Sequence, residues 1–333
     1  VFNSSHYADS YTFFGLTNQP IAIRMSSTSV DSFLYLYGPD GLLVTSDDDG
    51  GGLPNARIPP GTNFGLLPQT GLYTIITTSF GNFETGSYTV TLSVDIGSTT
   101  VTNTNDDGPG SLRQAILIAN GNPGADTIRF SIGSGAKTIT PLSPLPPITG
   151  PVTIDGTTQP GYAGTPLIEI NGQLAGPQTA GLKLLGGNSR VRALVINRFS
   201  VAGIVLTAGG GNFVDGNYIG TDLSGLNPRP AAPNGAIESQ GILIDSSLNN
   251  TIGGTTVAAR NVISGNRDVG VLIERSGRVT PTGNLVQGNY IGLSANGGTA
   301  FGNGVNGVVF LTGSNNIIGG TTAGARNIIS GNN

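Results

Sequence analysis

From about residue 180 onward, one hydrophobic phrase keeps returning along the chain. A glycine followed by an apolar, a variable and a second apolar residue starts at Gly181, Gly203, Gly241, Gly270 and Gly307. Longer phrases return with it. Asn249-Asn250-Thr251-Ile252-Gly253-Gly254 recurs as Asn315-Asn316-Ile317-Ile318-Gly319-Gly320, and Asn261-Val262-Ile263-Ser264-Gly265-Asn266 as Asn327-Ile328-Ile329-Ser330-Gly331-Asn332, each after 66 residues. Gly216 to Gly220 returns as Gly288 to Gly292 after 72 residues, so each unit holds two coils. A single coil cannot bury its own apolar positions, but coils stacked about 4.8 Å apart join them into one core. Alternation along a strand then turns Leu182/Leu184, Ile204/Leu206, Ile242/Ile244, Val271/Ile273 and Val308/Phe310 inward. The repeated asparagines are expected in left-handed turns, with side-chain amide ladders running from coil to coil.

The first 95 residues follow a different rhythm of short strands broken by turns. Strands are expected at Ser10 to Leu16, Ile21 to Met25, Ser32 to Gly38, Leu42 to Ser46, Leu72 to Ser79 and Ser87 to Ser93, a sandwich pattern. In Ser32 to Tyr37 leucines alternate with aromatics, so both faces are apolar or amphipathic, as in an interior strand. Gly38-Pro39-Asp40-Gly41 supplies the turn after it. Between the two regions, Ser111 to Asn120 reads as a helix N-capped by Ser111. Its Leu112, Ala115, Ile116 and Ala119 share one face, suited to plugging the first coil.

Several segments in order carry a resemblance: Asp9 to Phe13, Asp31 to Tyr37 with the Gly-Pro-Asp-Gly turn, Ser46 to Gly51, Thr70 to Ile75 and Gly86 to Val90. Together they resemble the bacterial pre-peptidase C-terminal domain, a small jelly-roll-like sandwich appended to exported proteins. No peptidase motif accompanies it, so the association with proteases lends no activity. Val101 to Ile116 resembles the start of β-helix regions in bacterial surface proteins. The repeats resemble the right-handed parallel β-helix superfamily, which includes pectate lyases, phage tailspikes and adhesins. The expected fold is therefore all-β, a jelly-roll-like β-sandwich followed by a right-handed parallel β-helix with a short capping α-helix. The expected divisions are 1–95, a linking and capping stretch over 96–150, and repeats over 151–333.

Composition narrows the function. Only 10% of residues are charged and 54 are glycine, a balance for turns and stacked strands. The net charge is −4, with two arginines against eight acids in residues 1–95 and 13 basic against 11 acidic residues after them. Neither part has the basic excess of a nucleic-acid binder. There is no cysteine, and His6 is the only histidine, which removes thiolate and imidazole chemistry. No apolar window approaches the roughly 18 residues of a membrane span. The lone Met25 lies inside an expected strand, so the sequence is expected to be part of a longer, exported product found outside the cell or on its surface.

Candidate chemistry lies on the outward side of the repeated strands. Val205, Leu243, Leu272 and Val309 form one column, a candidate ligand-binding or interface surface. Thr207, Asp245, Glu274 and Leu311 form the next, which sets two carboxylates on adjacent coils. At that spacing they could share a Ca²⁺ or act as acid and nucleophile of a retaining glycosidase. With Arg275 and Arg278 beside them they could instead serve a polysaccharide lyase. The plain alternative is a solvated column with paired charges. Asp47, Asp48 and Asp49 crowd three carboxylates into a turn suited to Ca²⁺. A longer loop containing Asn227-Pro228-Arg229-Pro230 and Glu238 is expected to project over one face. The function expected first is structural or adhesive, with head-to-tail assembly into filaments as its extension. The alternatives are an enzyme on an extracellular polysaccharide and non-catalytic carbohydrate binding.

Overall fold

The computed structural model describes residues 7–15, 17, 19–61, 65–81, 83–94, 98–228 and 239–333. The chain divides into two compact units, Val1–Gly97 and Ser98–Asn333. His6, Arg229, Pro230 and Glu238 lie outside the described residues.

The first unit is an antiparallel sandwich. Its strands are β1 (Ala8–Gly15), β2 (Pro20–Ser27), β3 (Ser32–Tyr37), β4 (Leu43–Asp47), β5 (Ala56–Ile58), β6 (Gly65–Leu66), β7 (Gly71–Ser79) and β8 (Tyr88–Val94). One sheet runs β1-β7-β3-β4, and in the other β2 pairs with β5, β6 and β8. The short β5 and β6 leave no mark in the hydrophobic pattern, because two or three residues are too few to show alternation. β3 is interior, between β7 and β4. Ser32, Leu34 and Leu36 point into the core with Ile23, Ala56 and Tyr73, while Phe33, Tyr35 and Tyr37 stand on the other face.

The second unit is a parallel β-helix of three sheets. The first has eight strands, from Thr100–Val101 to Ile317–Ile318, and the second has seven, from Lys137–Ile139 to Ile328–Ile329. The third has five: Ala180–Leu184, Ala202–Thr207, Gln240–Asp245, Val271–Glu274 and Val308–Phe310. All pairings within these sheets are parallel. Inward residues of successive coils line up in register, as in the fully buried series Ile170, Ile196, Ile219, Ile263 and Ile291. The expected inward pairs of the third sheet are buried from Leu182 to Ile273, whereas Val308 packs against the core from one side and Phe310 is exposed. A Cβ on the recurring glycine at Gly181, Gly203, Gly241 or Gly270 would lie 2.4–2.9 Å from the carbonyl oxygen of its counterpart one coil on. Close approach of backbones thus fixes that residue type. Helix α1 (Leu112–Gly121) starts where the sequence places it, with the Ser111 hydroxyl accepting from the Gln114 amide. Leu112, Ala115, Ile116 and Ala119 enter the β-helix core.

The amide ladders exist, but their backbone differs from expectation. Asn212, Asn250, Asn284 and Asn316 form one ladder, Asn217, Asn261, Asn289 and Asn327 a second, and Asn266, Asn303 and Asn332 a third. None of these residues has a positive φ. In the first ladder the left-handed residue is the one before it: Gly211, Asn249, Gly283 and Asn315. The turn is made first, and the following asparagine bridges coils with both its side-chain amide and its backbone N–H.

Candidate functional site

The third sheet presents its outward side chains as two columns. Lys183, Val205, Leu243, Leu272 and Val309 are successive partners in register, as are Thr207, Asp245 and Glu274. The side chains over the first three strands form a groove of about 420 Å³. Its floor is Val205 and Leu243, its rim carries Lys183, Thr207, Asp245 and Gln178, and Pro144, Leu145 and Pro147 wall one side. Val205 is buried although it faces outward.

Asp245 is the best-defined polar group of this groove. It accepts hydrogen bonds from the Ser276 amide (2.8 Å), from the Ser276 hydroxyl and from the Ser246 hydroxyl (2.9 Å). Burial by itself raises its carboxyl, but the Ser276 and Ser246 hydrogen bonds and the charge of Lys183 outweigh that and hold it below the usual value. Ser246, at a φ of +53°, turns the chain sharply at the strand end, and its hydroxyl also accepts from the Gly277 amide. Asp245 therefore tethers the 276–277 turn as well as charging the rim.

Of the outward residues singled out in the sequence, Val205, Thr207, Leu243 and Asp245 come together in the groove; Leu272, Val309, Leu311, Glu274, Arg275 and Arg278 are not in its lining. Glu274 lies beside Asp245 in register and is half-buried. Arg275 donates to the Gly277 carbonyl (3.1 Å) and the Thr280 hydroxyl (3.3 Å), closing its own turn, and Arg278 is exposed. Lys183 was not singled out in the sequence, although Gly181-Leu182-Lys183-Leu184 has the same pattern as its successors and extends the column by one coil. Nor was the Pro144 to Pro147 wall, because nothing local ties it to strands some 40 to 100 residues later.

The acidic turn of the sandwich is organised around its backbone. Asp47 Oδ2 accepts from the Gly50 and Arg57 amides, both at 2.7 Å, and Asp48 Oδ1 from the Asp49 amide. Among the described residues no group of three or more Asp, Glu, His or Cys is placed to share a metal ion. On the first sheet of the β-helix Arg190 forks onto Asp215 at 2.8 and 2.7 Å, and Arg192 lies 3.4 Å from Asp155.

Fold and groove together define a parallel β-helix protein with one grooved, partly apolar face. No family model matches the chain, and no curated protein matches it. Among solved structures it is similar to catalytic domains of GH87 α-1,3-glucanases. One, in complex with tetrasaccharides, is 12% identical over 92% of this chain and 60% of that one, with a TM-score of 0.29. Another, in complex with nigerose, is 12% identical over 95% and 68%, with a TM-score of 0.26. A third, from Streptomyces thermodiastaticus strain HF3-3, is 13% identical over 92% and 67%, with a TM-score of 0.18. The chain thus spans 60% of the length of the first of these domains and 68% of the second. These likenesses are remote and add nothing to the architecture already described. Among the described residues no helix is long and apolar enough to cross a membrane.

Proposed function

We propose that this chain is an extracellular carbohydrate-binding protein that holds a polysaccharide segment in the groove of the third sheet without cleaving it. The observation that carries the reading is the groove itself, with an apolar floor of Val205 and Leu243 between an ammonium, a fixed carboxylate and hydroxyl groups. A sugar ring has the same division, with C–H faces that lie on apolar surface and a rim of hydroxyls that need hydrogen-bonding partners. Adhesion to a cell-surface or matrix polysaccharide is this binding seen at the scale of the cell.

Binding without turnover is supported by how Asp245 is used. Three donors from Ser246 and Ser276 already engage its oxygens, and a carboxylate so engaged is a poor base or nucleophile. Among the described residues the groove's lining holds no second carboxylate on which an acid–nucleophile pair could be built.

Affinity electrophoresis of the full chain through gels containing neutral and acidic polysaccharides, α-1,3-glucan among them, tests the reading. At least one polymer is expected to retard the chain, with Lys183→Ala and Leu243→Asp each weakening retardation about tenfold, which corresponds to roughly 1.4 kcal/mol. No new reducing ends are expected on long incubation. Equal retardation of wild type and both variants would remove the groove from the function, and accumulating oligosaccharides would restore the enzyme alternative.

A further inference from the structure

The sandwich carries a second surface that the groove does not explain. On the outer face of its β1-β7-β3-β4 sheet, Phe80, Phe33, Tyr35 and Tyr37 form a continuous row of rings. Successive centroids are 6.1, 4.8 and 6.4 Å apart, and the interplanar angles stay between 13° and 32°. The three strand residues stand on one side because Leu34 and Leu36, between them, point into the core. Phe80 is 59% exposed, and the other three rings are half-buried.

Such a row is not required by the sandwich, whose core closes on the other side of β3. Aromatic residues offer large contact area at low rotamer cost, and a solvent-facing tract of them marks an interaction surface. The chemistry alongside identifies the occupant. Tyr35 and Tyr37 bring hydroxyls, and Ser46 and Thr74 are their cross-strand neighbours. These groups are neutral and amphipathic. Residues 1–95 hold two arginines against eight acids, so the field over this unit repels polyanions, nucleic acids included. A neutral glycan satisfies all of these conditions. Its rings present apolar C–H faces to the aromatic row and hydroxyls to the Tyr, Ser and Thr groups, and its pitch is comparable to the spacing of the rings.

We infer that the outer face of the β1-β7-β3-β4 sheet is a second glycan-binding site, in which a neutral polysaccharide lies along the row from Phe80 to Tyr37. The inference rests on the reading of the chain as a carbohydrate binder, and it adds a second site for the same class of polymer, one that discriminates against acidic polymers. Two sites on one chain would bind one polymer with avidity beyond either alone, provided that the polymer reaches both.

Hydroxyl-radical footprinting of the full chain separates the two sites without relying on any variant. With the neutral polymers of the panel bound, Phe33, Tyr35, Tyr37 and Phe80 are expected to be protected, and with polygalacturonate they are not. Protection of Leu243 and Pro144 with none at the aromatic row overturns the inference and leaves the groove reading intact. Protection at the row alone does the reverse. Absence of protection at the row with every neutral polymer also overturns it. As a second measurement, Tyr35→Ala/Tyr37→Ala is expected to raise the dissociation constant at least tenfold while Tyr37→Phe stays within about threefold of wild type.

Discussion

Asp245 shows how one side chain is held to two tasks. Its carboxylate forms part of the groove rim and at the same time receives the amide and hydroxyl of Ser276, so the 276–277 turn depends on its charge. Because its folded value is depressed below 3.8, the ionised form is the one that the structure stabilises. That contribution is fully present above 3.8 and is lost as pH falls through the lower folded value. Hydrogen exchange at Ser276 and Gly277, corrected for intrinsic rates, is therefore expected to stay slow from pH 7 down to about pH 4 and to rise steeply below it. Asp245→Asn should exchange faster at these amides already at pH 7. Slow exchange in the variant, or a rise in wild type centred near pH 6, would show that the turn is held by something other than this carboxylate.

Among elements, the asparagine ladders are where sequence and structure separate most instructively. Their existence was legible from repeated Asn at a 66-residue spacing, since only stacking places such residues side by side. Their backbone was not legible, because Asn-Asn and Gly-Asn pairs leave open which of the two residues takes the left-handed turn. The structure gives that role to the first, and buries the second. Asn250 is fully buried. Its side-chain oxygen accepts from the Asn212 amide and Nδ2, and its Nδ2 donates to the Ser247 hydroxyl and to Asn284 Oδ1. At a net value of about 1 kcal/mol per hydrogen bond, losing these four makes Asn250→Ala cost roughly 4 kcal/mol. The exposed Thr256→Ala, whose side chain makes no capping bond, should stay within about 0.5 kcal/mol. Urea unfolding of the full chain gives both numbers, and equal midpoints would show that the ladders do not stabilise the stack.

At the scale of the molecule, the sequence revealed what repeats and concealed what is assembled from distant segments. The stacked coils, the inward columns of the third sheet and the capping helix were legible because each leaves a local period or cap, as Ser111 does for Leu112–Gly121. The groove was half legible. Val205, Leu243 and Asp245 belong to the repeat, whereas the wall from Pro144 to Pro147 belongs to a loop that precedes it. The aromatic row was visible as Phe33, Tyr35 and Tyr37, but Phe80 joins it only through the β3–β7 pairing. Charge links these surfaces to one expectation for the partner. The chain carries a net −4, residues 1–95 a net −6 and the remainder a net +2. Within the groove Lys183 and Asp245 offset each other. A neutral glycan releases few counterions on binding, and at 0.1 M salt charges beyond about 10 Å are already screened. Affinity for a neutral polymer is therefore expected to change by less than about threefold between 0.05 and 0.5 M NaCl, measured by calorimetry on the full chain. A steep loss of affinity with salt would instead identify an anionic polymer drawn to the basic excess of the β-helix, and would move the partner away from the aromatic row.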